Sequence, residues 1–157
     1  MTSRVLVAVR VNATPERAFE AFTRDIAQWW KPAGLFSFTR EDAGALAFEP
    51  GVGGRLTLAL QSGGVFEVGK ITVWQPPSEL TFEWRQQSFA PEQKTEVCVR
   101  FEPLGDQTRV TVEHRGWDTI PRHHAARHGF PLPVFQLRHA EWWQLLLESL
   151  GRVAEGG

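Results

Sequence analysis

A long amphipathic segment near the end of the chain limits how the rest can fold. Residues from Val134 to about Val153 repeat apolar side chains at helical spacing. At about 100° per residue, one broad face carries Phe135, His139, Trp142, Trp143, Leu146, Leu147, Leu150 and Val153. The other face carries Arg138, Glu141, Gln144, Glu148 and Arg152. A helix with such a wide apolar face requires an apolar surface of similar size to pack against.

The residues from Ala45 to Trp117 predict that surface, because they form a succession of short strands separated by glycine and proline. Inward positions alternate at Leu56, Leu58 and Leu60, at Leu80, Phe82 and Trp84, at Val97, Val99 and Phe101, and at Val110, Val112 and His114. The alternation changes phase at Gly69-Lys70, where we expect a β-bulge. Glycine and bulges of this kind are typical of a sheet that curves.

The first 30 residues predict one strand and two short helices. Alternating valines from Val5 to Val11 indicate the strand. Thr14-Pro15-Glu16 supplies a helix cap, a proline in the first turn and an acid beside it. Lys31-Pro32 ends the second helix. The order of elements predicts an α+β fold: a curved antiparallel sheet grips the long C-terminal helix, with two short helices after the first strand. We expect residues 1–157 to form a single domain.

The composition argues against several classes of protein. The 157 residues carry 17 Lys and Arg against 18 Asp and Glu, a net charge of −1. A nucleic-acid-binding protein needs a basic face, so this balance argues against that class. The single cysteine, Cys98, has no partner for an internal disulfide or a cysteine zinc site. No apolar run approaches the roughly 20 residues of a membrane span, and no signal-peptide cleavage site is evident. These features predict a cytoplasmic protein with neither cofactor nor metal.

Four segments of this sequence together resemble the helix-grip superfamily of START-related (SRPBCC) domains. The segments are ATPERAFEAFTRDIAQWW (Ala13–Trp30), EPGVGGRL (Glu49–Leu56), GKITVWQPPSELTFEW (Gly69–Trp84) and RVTVEHRGW (Arg109–Trp117). The resemblance is strongest to bacterial proteins similar to the C-terminal domain of the heat-shock-protein-90 ATPase activator. It implies a cavity between the long helix and the sheet that accepts an apolar small molecule. It supplies no universal catalytic residue.

The candidate site residues are inward-facing aromatic and histidine side chains. His114 follows Val110 and Val112 in strand alternation, and His139 lies within the apolar stripe of the helix. An apolar pocket with a few convergent polar groups is typical of a small-molecule site. The predicted lining is Trp29, Trp30, Phe66, Trp84, His114, His139 and Trp143. Two alternatives stay open: each histidine is simply satisfied by a backbone carbonyl, and the indoles, Trp142 among them, simply fill the core.

Other chemistry-bearing residues are assigned to ordinary roles. His123, His124 and His128 lack the accompanying carboxylate of a zinc-binding helix, which favours a solvated loop. Cys98 lies on the strand face opposite Val97 and Val99, without an adjacent base. The Gly51–Gly54 run lacks the Lys-Ser/Thr that closes a phosphate-binding loop, so it predicts a turn.

Three functional hypotheses follow from these residues. The first is binding of a small apolar or aromatic molecule between the C-terminal helix and the sheet. The second is a cyclase or isomerase that uses His114 or His139 as a base. The third is a chaperone-binding module with an outward-facing Trp117 or Trp142. Because the sequence begins at the first strand of the fold, we do not expect the separate N-terminal domain that contributes much of the activator's chaperone contact. The frequency of symmetric dimers among soluble proteins favours a homodimer.

Overall fold

A computed structural model describes residues 4–30, 46–60, 63–85, 94–116 and 132–156 of the chain. Within these residues the strands are β1 (Arg4–Val11), β2 (Leu46–Phe48), β3 (Arg55–Ala59), β4 (Val65–Gln75), β5 (Glu79–Trp84), β6 (Thr95–Leu104) and β7 (Gln107–Arg115). The helices are α1 (Pro15–Thr23), α2 (Ile26–Trp29) and α3 (Leu132–Gly156).

The strands form one antiparallel sheet in the order β1-β7-β6-β5-β4-β3-β2. Its inner face buries the alternating residues that the sequence indicates, except for Leu60, which is partly buried. Paired strands place opposite residues on the same side of a sheet. One such row runs Phe82, Val97, His114 and Val5 across β5, β6, β7 and β1. Helix α3 packs on β1, α1 and α2. The predicted α+β arrangement of a curved sheet and a long C-terminal helix is confirmed.

The N-terminal elements follow the predicted signals. The side chain of Thr14 caps α1 by accepting a hydrogen bond from the backbone N–H of Arg17, at 3.2 Å. Phe19 and Phe22 turn inward from α1, and α2 then brings Trp29 under the sheet. Lys31-Pro32 lies outside the described residues, as does the loop predicted over 86–93.

The predicted irregularity in β4 is present, but it extends over more residues than the expected bulge at Gly69-Lys70. Pairing with β3 shifts around Val68, and pairing with β5 shifts around Thr72. Gly69 lies between the two irregularities, where β4 approaches β5 closely. A Cβ atom at Gly69 would lie 1.8 Å from the carbonyl oxygen of Glu83. Only glycine can occupy this position, because the lack of a Cβ atom lets the backbones of β4 and β5 approach this closely.

Helix α3 is longer than the sequence predicts at both ends. It begins at Leu132, two residues before Val134, because proline at position 133 is tolerated in a first turn whose N–H groups have no intrahelical partner. It continues past Gly151 to Gly156, since Gly151 is buried against Val11 of β1 and tertiary packing outweighs its low helix propensity. In the described part of the chain, no helix is both long enough and apolar enough to cross a membrane.

Candidate functional site

The candidate site lies on the inner face of the sheet, where β5 ends, β6 begins and β7 ends. His114 comes near the end of β7, and Thr95 is the first residue of β6. Helix α3 carries His139 and Trp143 one turn apart, on the face directed at the sheet. Both histidine side chains are 0% exposed, so these polar groups lie within the hydrophobic core.

Hydrogen bonds join these polar side chains into a continuous network. The Nδ1 atom of His114 lies 2.8 Å from Nε2 of His139 and 3.2 Å from the indole nitrogen of Trp143. On the other side of the same ring, Nε2 lies 2.7 Å from the hydroxyl of Thr95. The Thr95 hydroxyl in turn donates to the backbone carbonyl of Trp84, at 2.9 Å. The network therefore ties α3 to the ends of β5, β6 and β7.

The directions of these hydrogen bonds assign the tautomers of two neutral histidines. An indole N–H only donates, so Nδ1 of His114 accepts from Trp143 and carries no proton. The His114 proton then resides on Nε2 and is donated to Thr95. Because Nδ1 of His114 has no proton to give, the bond to His139 requires a proton on His139 Nε2. Each ring thus has a defined orientation and proton position.

Burial keeps both imidazoles neutral. Desolvation lowers the pKa of His114 to about 3, because an imidazolium inside the core would lose its hydration. Desolvation also lowers the pKa of His139 well below its ordinary value, and the neighbouring His114 lowers it further. Both groups are therefore uncharged at neutral pH and present hydrogen-bonding atoms without net charge.

This assignment excludes one reaction type at Thr95. A nucleophilic hydroxyl must give its proton to an adjacent base. Here His114 Nε2 donates to the Thr95 oxygen, and the Thr95 proton is directed at a backbone carbonyl. The hydrogen bond between His114 and Thr95 therefore runs in the direction opposite to that between a base and the nucleophile it activates. The arrangement is suited to orienting the side chains that it joins.

Aromatic rings enclose the polar network. The ring centroid of His114 lies 4.9 Å from that of Trp84 and 4.7 Å from that of His139. His139 also stacks on Trp142, with centroids 5.2 Å apart and an interplanar angle of 28°. Trp30 makes edge contacts with Trp142 and Trp143 at 5.6 and 5.1 Å. These contacts form a continuous aromatic wall between α3 and the sheet.

The structure brings six of the seven predicted lining residues into this cluster: Trp29, Trp30, Trp84, His114, His139 and Trp143. Each of them is at most 2% exposed, and they pack against one another. The seventh, Phe66, lies apart on β4, opposite Leu58, and is partly exposed. Among the described residues, no ring contact joins Phe66 to the other six.

The sequence analysis did not identify Thr95 as part of the site. It offered two interpretations of Trp142, as an indole that fills the core and as an outward-facing side chain. Thr95 precedes Val97 and Val99 in the same alternation, which was the available signal that it faces inward. Trp142 is half-buried and stacks on His139, so it belongs to the aromatic wall and does not stand out from the surface. Trp117 lies outside the described residues.

The remaining candidates have the following positions. Cys98 is buried on the face of β6 opposite Val97 and Val99. Gly51 and Gly53 adopt positive φ angles of 96° and 86° in the turn between β2 and β3, as a glycine turn requires. His123, His124 and His128 lie outside the described residues.

The lowered histidine pKa values predict that acid destabilises the fold before the carboxylates titrate. The unfolded state binds protons below pH 6.5, whereas folded His114 resists protonation down to about pH 3. The free energy of unfolding therefore keeps its full value above pH 6.5. Below that pH it decreases by about 1.4 kcal/mol per pH unit for each such histidine. Urea unfolding at pH 7.5, 6.5, 5.5 and 5.0 should show this slope.

The matched control for the pH experiment is His114→Asn, which keeps a hydrogen-bond acceptor near the position of Nδ1 but does not titrate. Its free energy of unfolding should decline less steeply over the same range. An identical slope in the two proteins would show that His114 does not cause the pH dependence.

The comparison with known families identifies the fold family. The description of the matching family is Activator of Hsp90 ATPase homolog 1-like protein, and the match covers residues 12–155. The chain belongs to this family. The resemblance inferred from the sequence segments is thereby confirmed, and the sheet wrapped around α3 is the helix-grip fold of this family. Among proteins of curated function, none matches the chain.

Solved structures similar to this family member include proteins with different roles. The Aha1 dimer from Colwellia psychrerythraea has a TM-score of 0.67 and 19% identity, covering 97% of this chain and 96% of that one. PFC0360w, an HSP90 activator from Plasmodium falciparum, has a TM-score of 0.65 and 18% identity, covering 96% and 95%. At these identities the likeness shows the fold alone. Txn09, an anthrahydroquino-γ-pyrone synthase, has a TM-score of 0.58 and 29% identity, covering 96% of each chain.

Proposed function

We propose that this protein binds a small, apolar molecule with planar aromatic rings, between α3 and the concave face of the sheet. The observation that carries the proposal is the hydrogen-bonded pair of His114 and His139 buried among indoles. Polar groups in a core lose their hydration, and a core that serves packing alone is filled at lower cost by aliphatic side chains. A few oriented polar groups within aromatic walls are typical of ligand sites.

The surface for a ligand is provided by inner-face residues that the helices leave partly uncovered. Helix α3 packs on the β1 side of the sheet. Toward the other edge, Phe48, Leu60 and Phe66 are only partly buried although they pack against the core. The fully buried Trp84 and the histidines then hold the sheet and α3 in place from within, and the partly exposed Phe66 supplies an aromatic face for the ligand. This division gives Phe66 a role distinct from that of the other predicted lining residues.

The likeness to Txn09 supports a planar polycyclic ligand. At 29% identity over 96% of both chains, Txn09 is a synthase named for an anthrahydroquinone-pyrone. Indole walls present large, rigid apolar surfaces that suit flat fused rings. We therefore infer an anthraquinone-like or related polyketide-derived aromatic as the ligand class.

The site geometry favours binding over catalysis by His114. A general base works best when its pKa is near the operating pH. The pKa of His114 is lowered to about 3, and both of its ring nitrogens are engaged within the network. It is consequently a weak base with no accessible lone pair for substrate. The chaperone-binding module, the homodimer and the cytoplasmic location remain predictions of the sequence.

A thermal-shift panel tests the binding proposal. The panel contains anthraquinones, flavonoids, naphthols and, for contrast, saturated fatty acids. A ligand at about 100 times its Kd stabilises the folded state by about 2.7 kcal/mol, which raises Tm by several degrees for a chain of this size. We expect the planar aromatics to raise Tm and to quench tryptophan fluorescence. Absence of any shift across the panel would reject the proposal.

Variants of two adjacent residues of β4 test the position of the ligand. Phe66→Ala should weaken binding of the best panel member about tenfold or more, because burying one phenyl ring contributes about 1.5–3 kcal/mol. Val65→Ala is the matched control, since Val65 is the neighbouring side chain and is 56% exposed. Isothermal titration should show an unchanged Kd for the control. Equal Kd values for both variants would place the ligand elsewhere.

A further inference from the structure

A surface pocket lies at the opposite end of β5 from the histidine network. It has a volume of about 440 Å³ and lies between α1 and the turn that joins β4 to β5. Its lining consists of Glu16, Phe19, Glu20, Thr23, Trp74, Pro76 and Pro77. The volume falls within the range of roughly 300–1,000 Å³ of small-molecule sites. Nothing in the network around His114 contributes to it.

The floor of this pocket is aromatic and partly open. Phe19 is buried and makes an edge contact with Trp74, with ring centroids 5.2 Å apart. Trp74 is only partly buried, and Pro76 and Pro77 flank it on the turn. A partly exposed indole beside two proline rings offers an apolar surface. Indole is also the side chain with the strongest attraction for a cation over its face.

The rim of the pocket carries two carboxylates, and in the described part of the chain only one of them is paired with a cation. Its described lining residues include two carboxylates and neither Lys nor Arg. Glu20 is already paired, since it accepts from Arg17 at 2.6 Å and from Arg24 at 2.9 Å. Glu16 is exposed, and no ion pair joins it to any residue that the structure describes.

Arg17 is not available to neutralise Glu16. Its guanidinium is held by Glu20, by Asp25 at 3.0 Å, and by the backbone carbonyls of Val153 and Ala154 at the end of α3. Arg17 therefore links α1 to α3, and it reaches the pocket rim only through its ion pair with Glu20. Among the described lining residues, Glu16 is therefore the carboxylate without an ion pair, and it lies beside an aromatic floor.

We propose that this pocket binds a small organic monocation, a protonated amine carried on an apolar body. The ammonium group pairs with Glu16 and lies near Trp74, while the apolar body covers Phe19 and the two prolines. The charge selects the ligand, because a neutral molecule of the same shape gains the apolar contact alone. The proposal is independent of the site between α3 and the sheet.

The test compares 2-phenylethylammonium with 2-phenylethanol, which has the same shape but no charge. Binding is followed by the indole N–H signals in ¹H–¹⁵N NMR, with the Trp74 signal assigned by its loss in Trp74→Phe. The amine should shift the Trp74 signal and bind about fivefold more tightly than the alcohol, the scale of one exposed ion pair. Equal affinities, no measurable binding of the amine, or shifts confined to other tryptophans would overturn the proposal.

Two glutamine variants test the charge contribution. Glu16→Gln should weaken binding of the amine about fivefold and leave that of the alcohol unchanged. Glu148→Gln is the control, because Glu148 is an exposed glutamate on α3 outside this pocket. An amine affinity that is unaffected by Glu16→Gln would overturn the proposal. Should Glu16→Gln fold poorly, the comparison of amine and alcohol in the unaltered protein decides the question.

Discussion

Replacing His114 with leucine should lower the free energy of unfolding by about 4 kcal/mol, although leucine has a similar volume and is apolar. The change removes the acceptor for two buried donors, the indole N–H of Trp143 and Nε2–H of His139. Each buried donor left without its acceptor costs about 1–3 kcal/mol. The Thr95 hydroxyl also loses its contact with the ring, although it keeps the Trp84 carbonyl as its acceptor. Urea unfolding at pH 7.5 measures the difference.

His114→Asn is the matched control for this substitution. The asparagine carbonyl oxygen lies near the position of Nδ1, so it preserves an acceptor for Trp143 and His139. The shorter side chain loses the hydrogen bond to Thr95. We expect it to lose about half as much stability as His114→Leu. If His114→Leu were as stable as the unaltered protein, the polar network would contribute nothing to folding, and only a functional requirement would explain its presence.

Gly69→Ala should destabilise the fold by more than about 3 kcal/mol, or prevent the correct pairing of β4 with β5. The added Cβ would lie 1.8 Å from the carbonyl oxygen and 2.3 Å from the carbonyl carbon of Glu83. Backbone atoms cannot move aside as a flexible side chain can. Relief of the clash would separate the strands and break the adjacent hydrogen bond from Arg85 N–H to the Val68 carbonyl, 3.0 Å long.

Gly64→Ala provides the control for Gly69→Ala, because Gly64 lies just before β4 and its Cβ would have no heavy atom within 4 Å. Its φ angle is not in the left-handed region, so alanine should change stability by less than about 0.5 kcal/mol. Thermal unfolding and near-ultraviolet circular dichroism of both variants would distinguish them. Similar melting temperatures would show that β4 and β5 can separate locally at little cost.

The elements of the fold follow from local patterns in the sequence. Alternation in Val97, Val99 and Phe101 predicts a half-buried strand, and the threonine-proline signal at the start of α1 predicts a cap. Both are confirmed because each depends on interactions between near neighbours. The bulge in β4 was predicted only approximately, since its position depends on the backbones of both adjacent strands.

The sequence indicated which side chains meet in the buried cluster better than it indicated how they are hydrogen-bonded. The alternation that leads to His114 and the helical stripe that includes His139 correctly indicated that both face inward. The same reasoning grouped Phe66 with them, although it lies apart on β4. Periodicity assigns a side chain to a face, but it does not determine how far along or across that face two side chains lie from each other.

The sequence by itself determined which faces are apolar, because burial of periodic side chains is a property of each element. Only the tertiary structure decided that the ring of His114 meets both Thr95 and His139, since those contacts depend on the register of β6 against β7 and on the placement of α3. Tautomer, charge and pKa follow from these contacts. A hydrogen bond requires atoms within about 3 Å, and that precision arises when distant segments pack together.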